Sequence, residues 1–306
     1  MRKYLICFVG PTAVGKTSMA IKSAVFFNTE IISSDSRQFY RELEIGTAKP
    51  NAQELAQARH HLINSLSIHD HYDVGLFEKE ALELINMIHQ KNRVAIMVGG
   101  SGLFVDAVCN GLDQFPEVKP GVREALNLEF KEQGLQPLTE ELKRTDSEYY
   151  TQVDLKNPQR VIRALEVIRS TGNTFSSYRK KKSKPRPFEV IKVGLHMDRE
   201  ELYSRIDHRM DLMINEGLFE EAKNFLPFQS LNALQTVGYQ EIFPYHEGQY
   251  DYEEAVRLLK RNSRRYAKRQ LTWFKRDPNV QWFEPSQTTE IVKWIEEQLK
   301  SSESEN

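Results

Sequence analysis

The chain has 306 residues, about two domains' worth at ~150 residues each, with 40% hydrophobic and 28% charged residues, the balance of a folded protein with a large core. Forty-two Lys and Arg against 43 Asp and Glu give a net charge of −1, which excludes a uniformly basic nucleic-acid coat but not a locally basic face. Two cysteines, Cys7 and Cys109, exclude a disulfide framework and fit a reducing, cytoplasmic compartment.

Met1-Arg2-Lys3 leads into six apolar residues, Tyr4 to Val9, too few for the core of a signal peptide. No run approaches the ~18 apolar residues of a membrane span. Tyr4 to Val9 instead reads as a strand buried on both faces, followed by a Gly-bounded loop over 10–15. From Lys16 the pattern is helical, with Ala20, Ile21, Ala24 and Val25 on one side. Residues 30–34 form a second short strand. Asp73 caps a helix whose apolar positions are Phe77, Ala81, Leu84 and Ile88, and Val94 to Val98 is a third buried strand stopped by Gly99-Gly100. Alternating strands and helices predict an α/β fold, a parallel sheet with helices on both faces.

From Phe115 to Pro187 only helices are predicted. Asn157-Pro158 is a helix start, with Asn as cap and Pro at the first position, and Val161, Leu165 and Ile168 form its apolar stripe. Residues 179–187 carry six basic residues and two prolines and read as an exposed connector. Strand character returns at 190–197. Asp198 with Glu201 resembles a capping box, long helices follow, and Val280 to Phe283 is a last strand. The 301–306 tail is polar and expected to fray. The domain expectation is a core of residues 1–114 and 188–306 interrupted by a helical insertion at 115–187.

The strongest motif is Gly10-Pro11-Thr12-Ala13-Val14-Gly15-Lys16-Thr17, a phosphate-binding loop between a buried strand and an amphipathic helix. Its glycines let successive N–H groups converge on an anion, the helix adds the positive end of its dipole, Lys16 brings a cation and Thr17 is a ligand for Mg²⁺. Nucleotide hydrolysis or kinase chemistry with ATP is the default for such a loop. Against it, no Asp follows the third strand, where an ATPase carries its second metal-holding carboxylate. Strand two runs into Asp35-Ser36-Arg37-Gln38, and ligands bind beyond the carboxyl ends of strands in such sheets. Asp35 is therefore a candidate base beside the loop; the plain alternative is a turn-capping Asp. Ser36 and Gln38 add groups able to read a polar edge.

Residues 10–17, 35–40 and 44–50, Arg59 to Leu62, Val98 to Leu103, Gln159 to Glu166, Gly238-Tyr239 and Lys268 to Trp273 together resemble the tRNA dimethylallyltransferases. The blocks keep their order from about residue 5 to 275. The resemblance implies a P-loop NTPase-like core and a tRNA-binding helical insertion. It implies transfer of the five-carbon group of dimethylallyl diphosphate to the exocyclic N6 amine of the adenine just 3′ of a tRNA anticodon, with release of diphosphate. The loop then grips the leaving group, with Lys16 and a Mg²⁺ on Thr17 stabilising its charge, and Asp35 takes the amine proton. The resemblance also assigns tRNA contacts to Asp35, Ser36, Arg37, Gln38, Ser101, Arg123, Gln159, Arg160, Val161, Ile162 and Arg163. A family Arg in the helix after 198 helps hold the diphosphate; of Arg205 and Arg209, which share one helix face at i and i+4, Arg209 is favoured. The family more often has Thr at 101, Tyr at 104 and Val or Ile at 39, where this chain has Ser101, Phe104 and Phe39.

Arg257 to Arg276 contains nine basic residues and no acidic one. Arg257, Arg261, Arg264 and Lys268 fall at helical spacing, a stripe suited to RNA phosphates. Trp273 and Phe274 are expected to anchor that helix rather than stack on a base. His60, His61, His69 and His71 match no zinc spacing. The partners expected are an anticodon stem-loop, whose adenine must leave its stack to react, and dimethylallyl diphosphate, with no membrane and a monomeric chain. The competing expectations are a P-loop kinase and a non-catalytic RNA binder switched by nucleotide.

Overall fold

The structure, a computed structural model, describes residues 2–180 and 184–304. The chain divides into two compact units, one running to Cys109 and resuming at Arg186, the other Asn110–Pro185. In the first unit, β1 (Tyr4–Val9) leads through the 10–15 loop to α1 (Lys16–Phe26), then β2 (Ile31–Ser33), α2 (Ala52–Gln57), β3 (His60–His61), α3 (Val74–Ile88), β4 (Val94–Val98) and α4 (Gly102–Asn110). The second unit holds α5 (Val122–Gln133), α6 (Gln136–Thr145), α7 (Ser147–Gln152), α8 (Pro158–Thr171) and α9 (Phe175–Tyr178). The first unit resumes with β5 (Glu189–Leu195), α10 (Arg199–Asn215), α11 (Leu218–Asn224), α12 (Tyr239–His246), α13 (Tyr252–Phe274), β6 (Val280–Phe283) and α14 (Thr288–Ser304).

The six strands are all parallel, in the order β3-β2-β4-β1-β5-β6. Alternate residues of β1 face opposite cores, as the two-residue period of a strand requires. Tyr4, Ile6 and Phe8 pack with Met19, Ala20, Ile206 and Ile295, while Leu5, Cys7 and Val9 pack with Phe77, Ile85 and Val108. This is the P-loop NTPase-like arrangement of a parallel sheet covered on both faces. Because β2, β4 and β1 are neighbours, the segments leaving their carboxyl ends (34–38, 99–101 and 10–15) meet at one edge of the sheet. A third cluster joins Tyr40 and Leu43 to Met210, Met213, Leu218 and Tyr239.

Local signals set the helix starts. Asp73 accepts the N–H groups of Gly75 and Leu76, Asn157 accepts that of Arg160, and Asp198 accepts those of Glu200 and Glu201. Three expectations change. Val25 is 58% exposed, so the buried stripe of α1 is Met19, Ala20, Ile21 and Ala24. On α3 the buried position is Ile85 rather than Leu84, which is half-buried. Arg186 is not part of an exposed connector: it donates to Glu78 at 2.6 Å and to the carbonyls of Ala107 and Val108. Lys181, Lys182 and Ser183 of that basic run lie outside the described residues, as do Glu305 and Asn306 of the tail. The short elements α2 and β3 are additional. Cys7 and Cys109 are free thiols, buried, with sulfurs 3.6 Å apart.

In the second unit α8 is the hub, with Val161, Ile162 and Leu165 wholly buried against Leu126, Leu138 and Leu142. Arg169 on α8 clamps Glu129 of α5 at 2.7 Å and Glu141 of α6. Replacing Arg169 by Met leaves two carboxylates facing each other without their shared cation. We expect a loss of about 1–3 kcal/mol in urea unfolding, partly recovered when Glu129→Gln and Glu141→Gln are added.

Candidate active site

Residues 10–15 pass from β1 to α1 with left-handed backbone at Ala13 and at Gly15, which caps α1. Gly10 has φ +140°, and a Cβ there would lie 2.5 Å from the Leu195 carbonyl oxygen, so glycine is required where the loop leaves the sheet. Lys16 opens α1 and folds back, its ammonium donating to the Pro11 carbonyl at 2.6 Å. Thr17 is half-buried beside it.

Asp35 follows β2. Its Oδ1 accepts the Arg37 N–H at 3.1 Å, so it caps its turn and also faces the loop. It lines a pocket with Thr12, Arg37, Arg209 and Tyr266 and with Gly46, Ala48, Met210, Met213, Leu218 and Val237. Charged and apolar groups therefore line the same pocket. Arg209 reaches it from α10, with Nη1 3.4 Å from the Thr12 hydroxyl, while Arg205, one turn earlier, is exposed.

Desolvation dominates the charge states here. Burial pushes Lys16 down to about 7, and neighbouring Arg209 adds to the shift while Asp35 opposes it. Burial raises the Asp35 carboxyl, against the opposing pull of the Arg37 N–H and the cations Lys16, Arg37 and Arg209. Burial likewise lowers Arg209, helped by Arg205. Each group pays for its position, and an anion in the loop would favour both cations.

The other expected residues fall into two groups. Near Asp35, the Ser101 hydroxyl accepts the Ser36 N–H at 3.2 Å and donates to the Ser36 hydroxyl at 3.2 Å. Arg37 donates to the carbonyls of Asn232 and Gln235. Gln38 does not present a free edge: its amide accepts from Ser33 and donates to the carbonyls of Thr47 and Ala48, pinning the pocket wall. In the second unit, Arg123 and Arg163 converge on buried Glu166 at 3.0 and 2.7 Å, and Arg123 also donates to Gln159. Arg160 is exposed there. Val161 and Ile162 have no exposed side chain, so they hold the helix and leave surface contacts to their polar neighbours.

Three site residues carry roles that their sequence positions do not signal. Tyr266 is hydrogen-bonded to Ser101, its hydroxyl pushed up to about 12 by burial and by Asp35. Glu221 accepts the N–H groups of Glu44, Ile45 and Gly46 and the Tyr239 hydroxyl, fixing the segment that walls the pocket. Gln270, buried on α13, accepts the Thr12 N–H. The blocks 44–50, 238–239 and 268–273 contain or touch these residues, but partners some 20 to 260 positions apart are not visible in one sequence.

The basic helix needs correction. Arg264 pairs with Asp207 at 2.5 Å, Lys260 with Asp211 at 2.6 Å and Arg257 with Glu254 at 2.6 Å. Acids from α10 and from the first turn of α13 neutralise half of the expected stripe. Arg265, Lys268 and Arg269 remain exposed. Trp273 donates to Asp106 at 2.9 Å and Phe274 is buried, so both anchor the helix. His61 bonds Glu30 and His60 the Ala58 carbonyl; among the described residues no three His, Cys, Asp or Glu side chains gather as a metal cluster.

A family model described as IPP transferase matches residues 38–277. The chain is 50% identical to a tRNA dimethylallyltransferase of Cytophaga hutchinsonii, over 98% of this chain and 99% of that one. It is 49% identical to that of Christiangramia forsetii, over 98% and 100%. Among solved structures, a full-length tRNA isopentenylpyrophosphate transferase of Bacillus halodurans superposes with a TM-score of 0.74 at 37% identity, over 99% of both chains. A eukaryotic dimethylallyltransferase acting on tRNA gives 0.76 at 26% identity, over 92% of this chain and 73% of that one.

The depressed Lys16 ammonium has a measurable signature. With its free value about 7, it is mostly neutral at pH 8 and mostly charged at pH 6. An anion in the loop favours the charged form, so inorganic diphosphate should draw about one proton onto Lys16 at pH 8 and little at pH 6. Calorimetry in buffers of different ionisation enthalpy reads the uptake. The difference between wild type and Lys16→Met isolates this residue from the ligand's own titration.

Proposed function

The chain belongs to the IPP transferase family, and from that premise we propose that it is a tRNA dimethylallyltransferase. It moves the dimethylallyl group of dimethylallyl diphosphate to the N6 amine of the adenine 3′-adjacent to the anticodon and releases diphosphate. The observation that carries the reading is the pocket itself: an acid, Asp35, lines it with Thr12 of the Gly-bounded loop and Arg209, together with apolar Met210, Met213, Leu218 and Val237. A diphosphate ester of a short hydrocarbon needs that combination. The kinase alternative is not favoured, since relatives spanning nearly the full length are named for prenyl transfer.

In the proposed reaction the amine nitrogen attacks the first carbon of the dimethylallyl group, the carbon–oxygen bond breaks, and the electron pair leaves on diphosphate. The N–H groups of residues 13–17, Lys16 and Arg209 hold that departing charge. Asp35 accepts the amine proton; burial makes its carboxylate a stronger base than one in water. An aryl amine is a weak nucleophile, so orientation and leaving-group stabilisation carry most of the barrier. The Thr17 hydroxyl and Asp35 carboxylate are hard oxygen donors, the chemistry Mg²⁺ takes alongside substrate phosphates. We assign Mg²⁺ to Thr17, where it would neutralise part of the diphosphate charge.

For RNA, we assign contacts to the 35–38 turn, Ser101 and the exposed cations of α13 in one unit, and to Arg123, Gln159, Arg160 and Arg163 in the other. Adenine stacked in a loop cannot reach a recessed carbon, so the base must be extruded. Among the described residues no helix is long and apolar enough to cross a membrane. We place the protein with its tRNA substrates in the cytoplasm, as a monomer.

The direct test incubates the protein with labelled dimethylallyl diphosphate, Mg²⁺ and an anticodon stem-loop. Label in the RNA supports the reading, whereas ATP turnover on a small acceptor with unlabelled RNA overturns it. Asp35→Asn should lower turnover by about 10²–10⁴, with RNA affinity changed far less; a reversed pattern would make Asp35 a binding residue only.

Charge removal tests the α13 surface separately. Replacing Arg265, Lys268 and Arg269 by Gln should flatten the salt dependence of stem-loop binding by about 2 in slope. Arg264→Gln should alter it less, because Asp207 already neutralises Arg264. An unchanged slope in the triple variant rejects this surface.

A further inference from the structure

Gln270 hydrogen-bonds the phosphate loop, and the reaction above gives it no task. It is buried on α13, and its amide is used at both ends. Oε1 accepts the Thr12 N–H at 2.8 Å, and Nε2 donates to the Gly100 carbonyl at 3.0 Å. Gly100 makes room for it, since a Cβ there would lie 2.0 Å from Nε2. Thr12 in turn meets Arg209 through its hydroxyl. One neutral amide therefore ties a distant helix to the turn that follows β1 and to the end of β4.

An anion loop works only if its N–H groups are aimed before the anion arrives, and a short Gly-bounded loop has many other conformations available. The Thr12 N–H is turned to Gln270, which fixes where the following N–H groups point. We propose that Gln270 is a positioning residue for the leaving-group site: it holds Thr12, and through the Thr12 hydroxyl it holds Arg209, in the arrangement that grips diphosphate. The proposal deepens the reading of this site given above and rests on it. The chemistry of the position calls for an amide. It must accept from one N–H and donate to one C=O, whereas a carboxylate would set a negative oxygen against the Gly100 carbonyl oxygen. The same amide occupies the end of β4, where a nucleotide hydrolase would carry a metal-holding acid.

Two variants perturb the contact independently. Gln270→Met keeps length and bulk but makes neither hydrogen bond. Gly100→Ala leaves Gln270 in place and displaces its amide. For each, the dissociation constant of inorganic diphosphate is measured by calorimetry, and KM for dimethylallyl diphosphate and kcat are measured with saturating stem-loop. Thermal melts establish the folded fraction. We expect diphosphate affinity and KM to weaken about tenfold in both variants, with kcat changed by less than about threefold. Two folded variants with wild-type diphosphate affinity and KM overturn the proposal, as does a loss confined to thermal stability, which would make Gln270 a packing residue only. Wild-type protein that binds no diphosphate would instead overturn the site reading beneath it.

Discussion

Burying like charges around a void is the constraint on which this structure turns. Lys16 of the phosphate loop and Arg209 interact with one carboxylate, Asp35, and each of the three is shifted toward its neutral form by burial. Isolated charges in such surroundings are costly, and one acid does not balance two bases. With Lys16 charged, the surplus is positive and lies against the phosphate loop. What relieves it is an anion with more than one charge. In the proposed reading that anion is diphosphate, and charge growing on the leaving group would favour the charged form of both cations.

Such a pocket needs walls that do not collapse onto their own charges. The sheet supplies the floor, because three neighbouring strands end together. Glu221 supplies much of the far wall by capping three successive N–H groups over 44–46. Gln38 pins the carbonyls of Thr47 and Ala48 next to it. Arg37 ties the Asp35 turn to residues 232 and 235. These contacts link segments near residues 40 and 230, which explains why motif blocks far apart in the chain belong to one site. Aromatic packing continues behind it: Phe39 stacks on Phe77 and meets Phe104, so two of the three residues that depart from the family habit fill space together.

How much of this the sequence revealed depended on the range of the interaction. The loop at 10–17, every strand but β3, and the caps Asp73, Asn157 and Asp198 are local patterns, readable from spacing alone, and the structure has them where they were expected. Periodicity chose wrongly only where two apolar neighbours competed, as with Val25 and with Leu84 against Ile85. The acid at 35 was legible because parallel sheets bring strand ends together. Gln270, Glu221 and Tyr266 were not, since each acts on residues far along the chain. The basic stripe misled for the same reason. Counting charges along α13 cannot see Asp207 and Asp211 on α10, which neutralise Arg264 and Lys260.

The end of β4 bears on the choice of chemistry. Phosphoryl transfer requires a nucleophile to reach phosphorus in line, and nucleotide enzymes commonly place a metal-holding carboxylate near that path. Here Gly99 and Gly100 occupy the position, with the Ser34 hydroxyl against one and the Gln270 amide against the other. In the proposed prenyl transfer, phosphorus is never attacked. The bond that breaks joins carbon to the bridging oxygen, so the loop has only to hold an accumulating negative charge still. A neutral amide that fixes the loop serves that purpose, and an additional carboxylate would repel the leaving group. The same nest of N–H groups thus suits two chemistries, and a neutral amide against its back is compatible with the proposed one.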